Sequence, residues 1–323
     1  MPGMIADSWE KLLKSAEFFH LDKEKFSKLK DFFESLDLTF FRRIASYKFG
    51  EFPENEVKSL FPADDQHRLL LLVVVANGEN LKELYRRNNF PAWMLELISF
   101  DLSIWMRAME ADLGFYGLTW EIFAWQSHCL FGKIKQFGRL QCNEVHFFNV
   151  KRSFYRDADG VLQSVAGQSM LPADAAVALN YQEPCINLHI PASGPLLRKD
   201  CIAAIKNMVE FYREFYPEYR YRAVVCYSWL LSRQFRELLP PESNIIQFQN
   251  LGHNFDIPEI DQDNSIRWRL WDAAAKEKKA DELICRTSLQ RKVVEFWKGG
   301  GHFIEGGLII FPDELPALFR ELD

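Results

Sequence analysis

Two side chains of this sequence have the reactivity that a catalytic site needs. His189 is a candidate general base, because an imidazole has an ordinary pKa close to neutrality. Cys226 is a candidate covalent nucleophile if its strand lies beside that of His189, because an imidazole can activate a neighbouring thiol. Each residue also has a purely structural interpretation, as a strand histidine bonded to nearby backbone and as a buried core cysteine. The sequence leaves both interpretations open.

A turn directly after His189 has the features of an anion-binding site. Residues 191–195 read Pro-Ala-Ser-Gly-Pro, and a strongly helical segment, residues 197–216, comes next. Free backbone N–H groups and the positive end of a helix dipole attract anions to such a helix start. The turn contains neither G-x-G-x-x-G nor G-K-[ST], so a plain structural turn is the alternative.

The elements on either side of this turn are predicted from residue periodicity. Apolar Ile186, Leu188 and Ile190 alternate with Asn187 and His189, which is the pattern of a strand. Pro191 ends the strand, because proline cannot donate to a ladder. The helical segment repeats apolar residues at intervals of three and four until Pro217.

The rest of the chain separates into a helical part and a mixed part. Residues 1 to about 135 carry helical periodicity almost throughout, whereas the later residues alternate strand and helix patterns. These patterns predict a hairpin around the Asp159-Gly160 turn, strands at 221–227, 244–249, 266–271 and 303–311, and helices at 232–239 and 287–297. A strand–helix–strand crossover implies a parallel or mixed sheet. We therefore predict an α+β protein with a helical domain over 1–136 and a mixed-sheet domain over 137–323, with a boundary as late as about residue 170.

Bulk properties exclude several classes of function. The net charge of -6 and the lack of a basic tract argue against nucleic-acid binding. The six cysteines form no C-x-x-C pair, and no cluster of His, Asp and Glu predicts a metal site. The N-terminus lacks a signal-peptide pattern, and the longest apolar run, 69–76, is too short to cross a membrane. These features favour a cytoplasmic protein, and its aromatic-rich first domain could form a homodimer face.

Five blocks of sequence resemble one family. They are Leu188-His189-Ile190-Pro191 with Gly194-Pro195-Leu196, Cys226-Tyr227-Ser228-Trp229-Leu230-Leu231, the run from Leu238 to Ile245 followed by Gln247-Phe248, Thr287-Ser288-Leu289-Gln290-Arg291, and Gly138-Arg139-Leu140-Gln141. Their order and content resemble the bacterial two-domain GNAT-like acyltransferases, which carry an N-acyltransferase N-terminal domain and a GNAT-like C-terminal domain. The blocks run from about residue 138 to 291, and the helical first third matches by layout.

The resemblance implies transfer of an acyl group from acetyl-CoA or another acyl-CoA to an amine of a small molecule or peptide. In GNAT folds the strand before the long helix diverges from its neighbour, pantetheine lies in the gap, and the pyrophosphate meets the turn. The implied CoA-binding residues here are Leu188, Ile190, Ala192, Ser193, Gly194, Leu196, Leu197 and Arg198. This turn departs from the standard [QR]-x-x-G-x-[GA], because it has one glycine and two prolines, and each proline removes an N–H donor.

The resemblance also implies a proton donor for the departing thiolate near the end of the strand at 221–227. Tyr227 and Ser228 are the candidates, against core packing for the tyrosine and a local cap for the serine. Three hypotheses follow. The first is direct N-acylation with His189 as the base, and the second is acyl transfer or hydrolysis through a covalent intermediate on Cys226. The third is a non-catalytic ligand-binding protein that keeps the fold.

Overall fold

A computed structural model of the chain describes residues 5–147, 152–166, 176–180 and 182–322. The chain divides into two compact units, Met1–Gln136 and Phe137–Asp323. No helix among the described residues is long and apolar enough to cross a membrane. Each unit is described separately below.

The first unit is helical and packs around one continuous apolar helix. This central helix is Ala63–Ala76, and each residue from Leu69 to Ala76 is completely buried. A helix that is apolar on every side needs partners on every side, and the other helices of the unit supply them. In chain order the helices are α1 (Trp9–Phe18), α2 (Lys23–Ser27), α3 (Lys30–Ser35), α4 (Leu38–Ala45), α5 (Glu54–Leu60), α6 (Ala63–Ala76), α7 (Gly78–Arg87), α8 (Ala92–Leu113) and α9 (Trp120–Leu130).

The second unit is built on a mixed sheet with the order β1-β2-β6-β7-β9-β8. A smaller sheet has the order β4-β3-β5, and the predicted hairpin is its β3–β4 pair. The fold is therefore α+β, as the periodicity predicts. The strands are β1 (Lys135–Phe137), β2 (Leu140–His146), β3 (Arg152–Arg156), β4 (Leu162–Ala166), β5 (Ala176–Leu179), β6 (Pro184–His189), β7 (Ala223–Ser228), β8 (His253–Asp261) and β9 (Ile304–Ile310).

Helices complete the second unit. They are α10 (Arg198–Phe215), α11 (Phe235–Leu238), α12 (Asn244–Gln249), α13 (Asp263–Leu270), α14 (Ser288–Lys298) and α15 (Leu315–Phe319). Short 3₁₀ turns lie at Trp229–Leu231, Ala273–Glu277, Ala280–Glu282 and Arg320–Leu322. Helix α14 begins with a capping box, in which Thr287 and Gln290 exchange side-chain to backbone hydrogen bonds.

The two faces of the large sheet have different coverings. Helix α10 packs on one face, where the Tyr212 hydroxyl donates to Glu144 of β2 at 2.8 Å. On the other face, Val225 and Ile309 share an apolar cluster with Phe154 and Leu179 of the small sheet. Paired residues on neighbouring strands point to the same side of the sheet. The register therefore decides which side chains contact α10 and which contact the small sheet.

Two predicted strands are wrong. Residues 244–249 form helix α12, which begins where the Ser243 hydroxyl accepts from the amide of Ile246, and residues 266–271 fall largely in helix α13. Apolar runs this short fit either periodicity, so the tertiary packing decides between them. Strand β8 was missed because it is an edge strand in which Ile257 is the single buried residue.

Candidate active site at the divergence of two parallel strands

Strands β6 and β7 pair in parallel and then separate. Their ladder runs from the Cys185–Ala223 pair to the Leu188–Cys226 pair. Strand β7 continues beyond that point, because Tyr227 and Ser228 still pair with Gly307 and Gly306 of β9. In the described part of the chain, the β6-facing edge of β7 is therefore unpaired from Tyr227 onward. We call this divergence the β6–β7 cleft, and its β7 edge offers backbone hydrogen bonds to a ligand.

The register places Cys226 and His189 on opposite faces of the sheet. Cys226 pairs with Leu188, so its side chain points to the α10 face, and His189 follows Leu188 and points to the other face. Cys226 is completely buried, and this burial raises the pKa of its thiol well above the ordinary value. The hypothesis of a Cys226–His189 pair is therefore wrong, since the thiol is neither beside the imidazole nor poised to ionise.

Ser228 also lies on the α10 face and has a local structural role. Its hydroxyl accepts from the amide of Leu230 at 3.2 Å and begins the 3₁₀ turn at Trp229–Leu231. That turn crosses directly over β9, because a Cβ at Gly306 would lie 2.0 Å from the carbonyl oxygen of Leu231. The chain itself thus closes the sheet face next to Ser228.

His189 lies on the opposite face of the sheet, where the side chain of Asn143 holds its imidazole. Its Nε2 lies 2.8 Å from Oδ1 of Asn143 on β2 and 3.4 Å from Nδ2 of Asn187. An amide oxygen at 2.8 Å needs a donor, so the contact with Asn143 assigns the proton to Nε2. The neighbouring side chain, Asn187, is buried, and its Oδ1 has no hydrogen-bond partner in the described chain.

Tyr227 lies on the same face as His189, one strand away. Its hydroxyl is buried and has no hydrogen-bond partner among the described residues. Burial raises the pKa of this phenol strongly, and the nearby thiols of Cys185 and Cys226 and the Glu305 carboxylate raise it further. A buried unpaired hydroxyl costs stability, so its presence at the edge of the cleft is consistent with a functional partner.

Glu305 is a site residue that the sequence analysis missed. It lies near the start of β9, two residues before Gly307, and therefore shares the face of Tyr227. The side chain is half-buried, and burial raises the pKa of its carboxyl. The sequence contained one signal, an isolated carboxylate inside an otherwise apolar predicted strand at 303–311.

A single guanidinium holds the turn between β6 and α10. Arg139, just before β2, donates to the carbonyl oxygens of Pro191 at 2.7 Å, Gly194 at 3.0 Å and Pro195 at 3.0 Å. Gly194 has a φ of +146°, a conformation that favours glycine. Burial lowers the pKa of the Arg139 guanidinium, but an arginine side chain stays charged in proteins. Arg139 therefore gives this turn a fixed positive group.

Three backbone amides of the turn are available to a ligand. Within the described chain, the backbone N–H groups of Ala192, Ser193 and Gly194 donate to no acceptor. These residues are exposed, and the N-terminus of the 18-residue helix α10 follows them. The arrangement therefore provides several N–H donors, a helix dipole and a guanidinium at one end of the cleft, which suits an anionic group.

The remaining predicted cofactor residues have different surroundings. Leu188 and Leu196 are buried, whereas Ile190 and Leu197 are partly exposed beside the turn. The guanidinium of Arg198 is bound to both carboxylate oxygens of Glu321 at 2.7 Å and to the carbonyl oxygens of Gln247 and Asn250. Its side chain thus ties α10 to α12 and the C-terminus, and only its backbone amide remains for an anion.

Comparison with known proteins gives one family and several related folds. Residues 134–309 match the model of the GNAT-like C-terminal domain. An acyltransferase variant solved in complex with octanoyl-CoA superposes with a TM-score of 0.67 at 18% identity, over 94% of this chain and 88% of the other. Similar folds at 18% identity are an acyltransferase in complex with decanoyl-CoA (TM-score 0.58, 93% of this chain and 99% of the other) and one with decanoyl-CoA and teicoplanin (0.56, 92% and 99%). No curated protein matches significantly by sequence.

Proposed function

Because the chain belongs to the family of proteins with a GNAT-like C-terminal domain, we propose that it is an acyltransferase that moves an acyl group from acyl-CoA to an amine. The observation that carries this proposal is the Arg139-braced turn at the mouth of the β6–β7 cleft. A pantetheine arm is long, flexible and rich in amides, and the unpaired edge of β7 can bind it as a further strand. The CoA pyrophosphate then meets the free amides of residues 192–194.

We place the two proton transfers on the sheet face opposite α10. The acceptor enters as a primary ammonium, His189 takes one of its three protons, and the freed lone pair forms the C–N bond at the thioester carbonyl. When the tetrahedral intermediate collapses, the C–S bond breaks and sulfur leaves as a thiolate. The second amine proton passes to that thiolate, with the Tyr227 hydroxyl as the donor nearest the cleft. The products are an amide, free CoA and one proton, which His189 releases to solvent.

The acyl group and the acceptor are proposed by similarity to the related folds. The similar acyltransferases were solved with octanoyl-CoA and decanoyl-CoA, so we propose a medium-chain acyl-CoA as the donor, with acetyl-CoA as the short-chain comparison. One of them was also solved with teicoplanin, which supports a small-molecule or peptide acceptor. We propose that the domain boundary is that of the two compact units, with the chemistry in the unit Phe137–Asp323.

Calorimetric titration with octanoyl-CoA, acetyl-CoA and free CoA tests the proposal. Micromolar binding of octanoyl-CoA is the expected result, with binding lost when Gly194→Trp blocks the turn. Thermal unfolding of the variant must match the wild type for that loss to be assigned to the site. Absence of binding to the wild type would overturn the acyltransferase proposal and favour a ligand-binding protein that keeps the fold.

A further inference from the structure

Strand β2 places a polar side chain directly beside His189. Asn143 of β2 pairs with Asn187 of β6, and His189 lies two residues further along β6, so the three side chains share one face of the sheet. Diagonal neighbours on paired strands are close enough for polar side chains to meet. The hydrogen bond between His189 Nε2 and Asn143 Oδ1, at 2.8 Å, is such a diagonal contact. A residue 46 positions earlier in the chain therefore holds the proposed base.

The orientation of the Asn143 amide follows from a second contact. Its Nδ2 atom donates to the backbone carbonyl oxygen of Glu144 at 3.3 Å, which leaves Oδ1 facing the imidazole. The other asparagine on this face, Asn187, has its Nδ2 atom 3.4 Å from the same ring nitrogen. Because Nε2 carries its proton toward Asn143, it has no lone pair to accept from Asn187. Of the two asparagines, Asn143 is therefore the one that orients the ring of His189.

An amide acceptor suits a base that must bind and release a proton in every cycle. The outer torsion of a histidine side chain has a broad preference, so a fixed acceptor is needed to hold the ring in one orientation. Once His189 has taken a proton, both ring nitrogens are donors, and the bond to Asn143 becomes a stronger, charge-assisted one. The amide stays neutral, whereas a carboxylate at this position would favour the charged ring. Asn143 can thus stabilise the imidazolium without retaining its proton.

The same strand also holds the backbone that follows His189. Arg139 directly precedes β2 and donates to the carbonyl oxygen of Pro191 at 2.7 Å. One end of β2 therefore fixes the turn after His189, and Asn143, four residues later, fixes its imidazole. This arrangement relates the position of the base to the turn at which the proposed CoA pyrophosphate binds.

We propose that Asn143 is a positioning residue for the acyl transfer, which holds the imidazole of His189 in one orientation and stabilises the charged ring that forms when it takes the proton. This inference rests on the proposed function and adds to it a residue that acts through His189. In the sequence Asn143 is an ordinary polar residue of a strand, and the pairing of β2 with β6 brings it to the site.

Two substitutions of Asn143 test this role in opposite directions. Asn143→Leu keeps the size of the side chain and removes the acceptor, so kcat for thiol release from octanoyl-CoA with 2-phenylethylamine should fall about ten- to a hundredfold. The KM of the amine and the Kd of octanoyl-CoA should keep their wild-type values. Asn143→Asp keeps an acceptor and adds a charge, so the acid limb of its kcat profile should move to higher pH by about 1 pH unit or more. At alkaline pH its kcat should return toward the wild-type value.

An NMR titration of His189 measures the contact without any acceptor. The ring Cε1–H resonance of His189, assigned by its loss in His189→Gln, is followed against pH in each protein. The midpoint should move to higher pH in Asn143→Asp and to lower pH in Asn143→Leu, because one variant strengthens and the other removes the bond to the charged ring. Both variants keep the other titratable side chains that β2, β6, β7 and β9 place on this face, which are Cys185, Tyr227 and Glu305.

The control variant is Asn264→Asp, which adds the same charge at an exposed position of α13. It should leave kcat and the titration midpoint of His189 unchanged. If Asn143→Leu folds poorly, the pH profile and the midpoint of Asn143→Asp decide the question.

The outcomes separate the two proposals. A wild-type kcat in Asn143→Leu, or an unmoved midpoint and acid limb in Asn143→Asp, would overturn the role of Asn143 and leave the acyltransferase proposal in place. An equal effect of Asn264→Asp would reduce that role to general electrostatics. If octanoyl-CoA does not bind the wild type, the acyltransferase proposal fails, and the role of Asn143 in acyl transfer fails with it.

Discussion

The guanidinium of Arg139 donates to the carbonyl oxygen of Gly194 at 3.0 Å across 55 residues of sequence. Together with its bonds to Pro191 and Pro195, this contact turns the carbonyl groups of the turn inward. The two prolines remove N–H donors from the turn, yet the brace leaves the amides of Ala192, Ser193 and Gly194 available. The non-standard turn is therefore compatible with binding of a pyrophosphate.

Removing the brace is expected to weaken CoA binding. In Arg139→Ala the three carbonyls lose their donor and the turn loses its fixed conformation, so the Kd of octanoyl-CoA should rise about tenfold or more, as for loss of a charged hydrogen bond. Calorimetric titration measures this change. The control variant is Arg213→Ala, which removes one positive charge at an exposed position of α10. It should leave the Kd of octanoyl-CoA unchanged. An equal effect of both variants would reduce the role of Arg139 to general electrostatic attraction.

The backbone of Gly194 gives a second test of the same turn. Its φ of +146° is strained for any residue with a side chain, so Gly194→Ala should shift the turn and raise the Kd of octanoyl-CoA. Gly160→Ala introduces comparable strain at a φ of +76° in the β3–β4 hairpin. Each variant is expected to lose about 1 kcal/mol of unfolding free energy. Weaker octanoyl-CoA binding in Gly160→Ala as well would mean that lost stability, and not the turn, explains the effect.

Cys226→Ala is expected to keep acyl transfer. The thiol lies on the face opposite His189, it is completely buried, and its raised pKa keeps it protonated at neutral and mildly alkaline pH. Intact-mass analysis after incubation with octanoyl-CoA should find no acyl adduct on the wild type. Iodoacetamide should first modify Cys285, the cysteine that is partly exposed. An acyl adduct on Cys226 would contradict the direct mechanism.

Removing the hydroxyl of Tyr227 should separate catalysis from stability. Because this buried hydroxyl has no partner among the described residues, Tyr227→Phe should be as stable as the wild type or more stable, while kcat falls about a hundredfold from loss of the proton donor. The Tyr219 hydroxyl donates to the carbonyl oxygen of Cys185 at 2.8 Å. The control Tyr219→Phe should therefore lose about 1 kcal/mol of unfolding free energy and keep kcat.

Thermal unfolding and single-turnover thiol release measure the two effects. A destabilised Tyr227→Phe would mean that the hydroxyl has a structural partner. An unchanged single-turnover rate would assign the proton donor to another group or to water.

Local chemistry determined the strand–turn–helix unit at 186–216, and the sequence alone was sufficient to predict it. Alternation of Ile186, Leu188 and Ile190, the stop at Pro191 and the helical period to Pro217 are decided within a few residues, and the structure has β6 and α10 at these places. The Thr287 capping box is equally local. The order of the five sequence blocks predicted a GNAT-like domain. The family model of the GNAT-like C-terminal domain matches residues 134–309.

Only the tertiary structure decided which side chains share the site. The side-chain period of a strand is two, so a register that pairs Leu188 with Cys226 sends Cys226 to one face and His189 to the other. No local pattern encodes that register. Glu305 and Arg139 are likewise ordinary charges in the sequence, and they gain their roles from β9 lying beside β7 and from β2 lying beside β6. These are pairings between residues far apart in the chain, stabilised by packing of the whole sheet, and short-range periodicity carries no information about them.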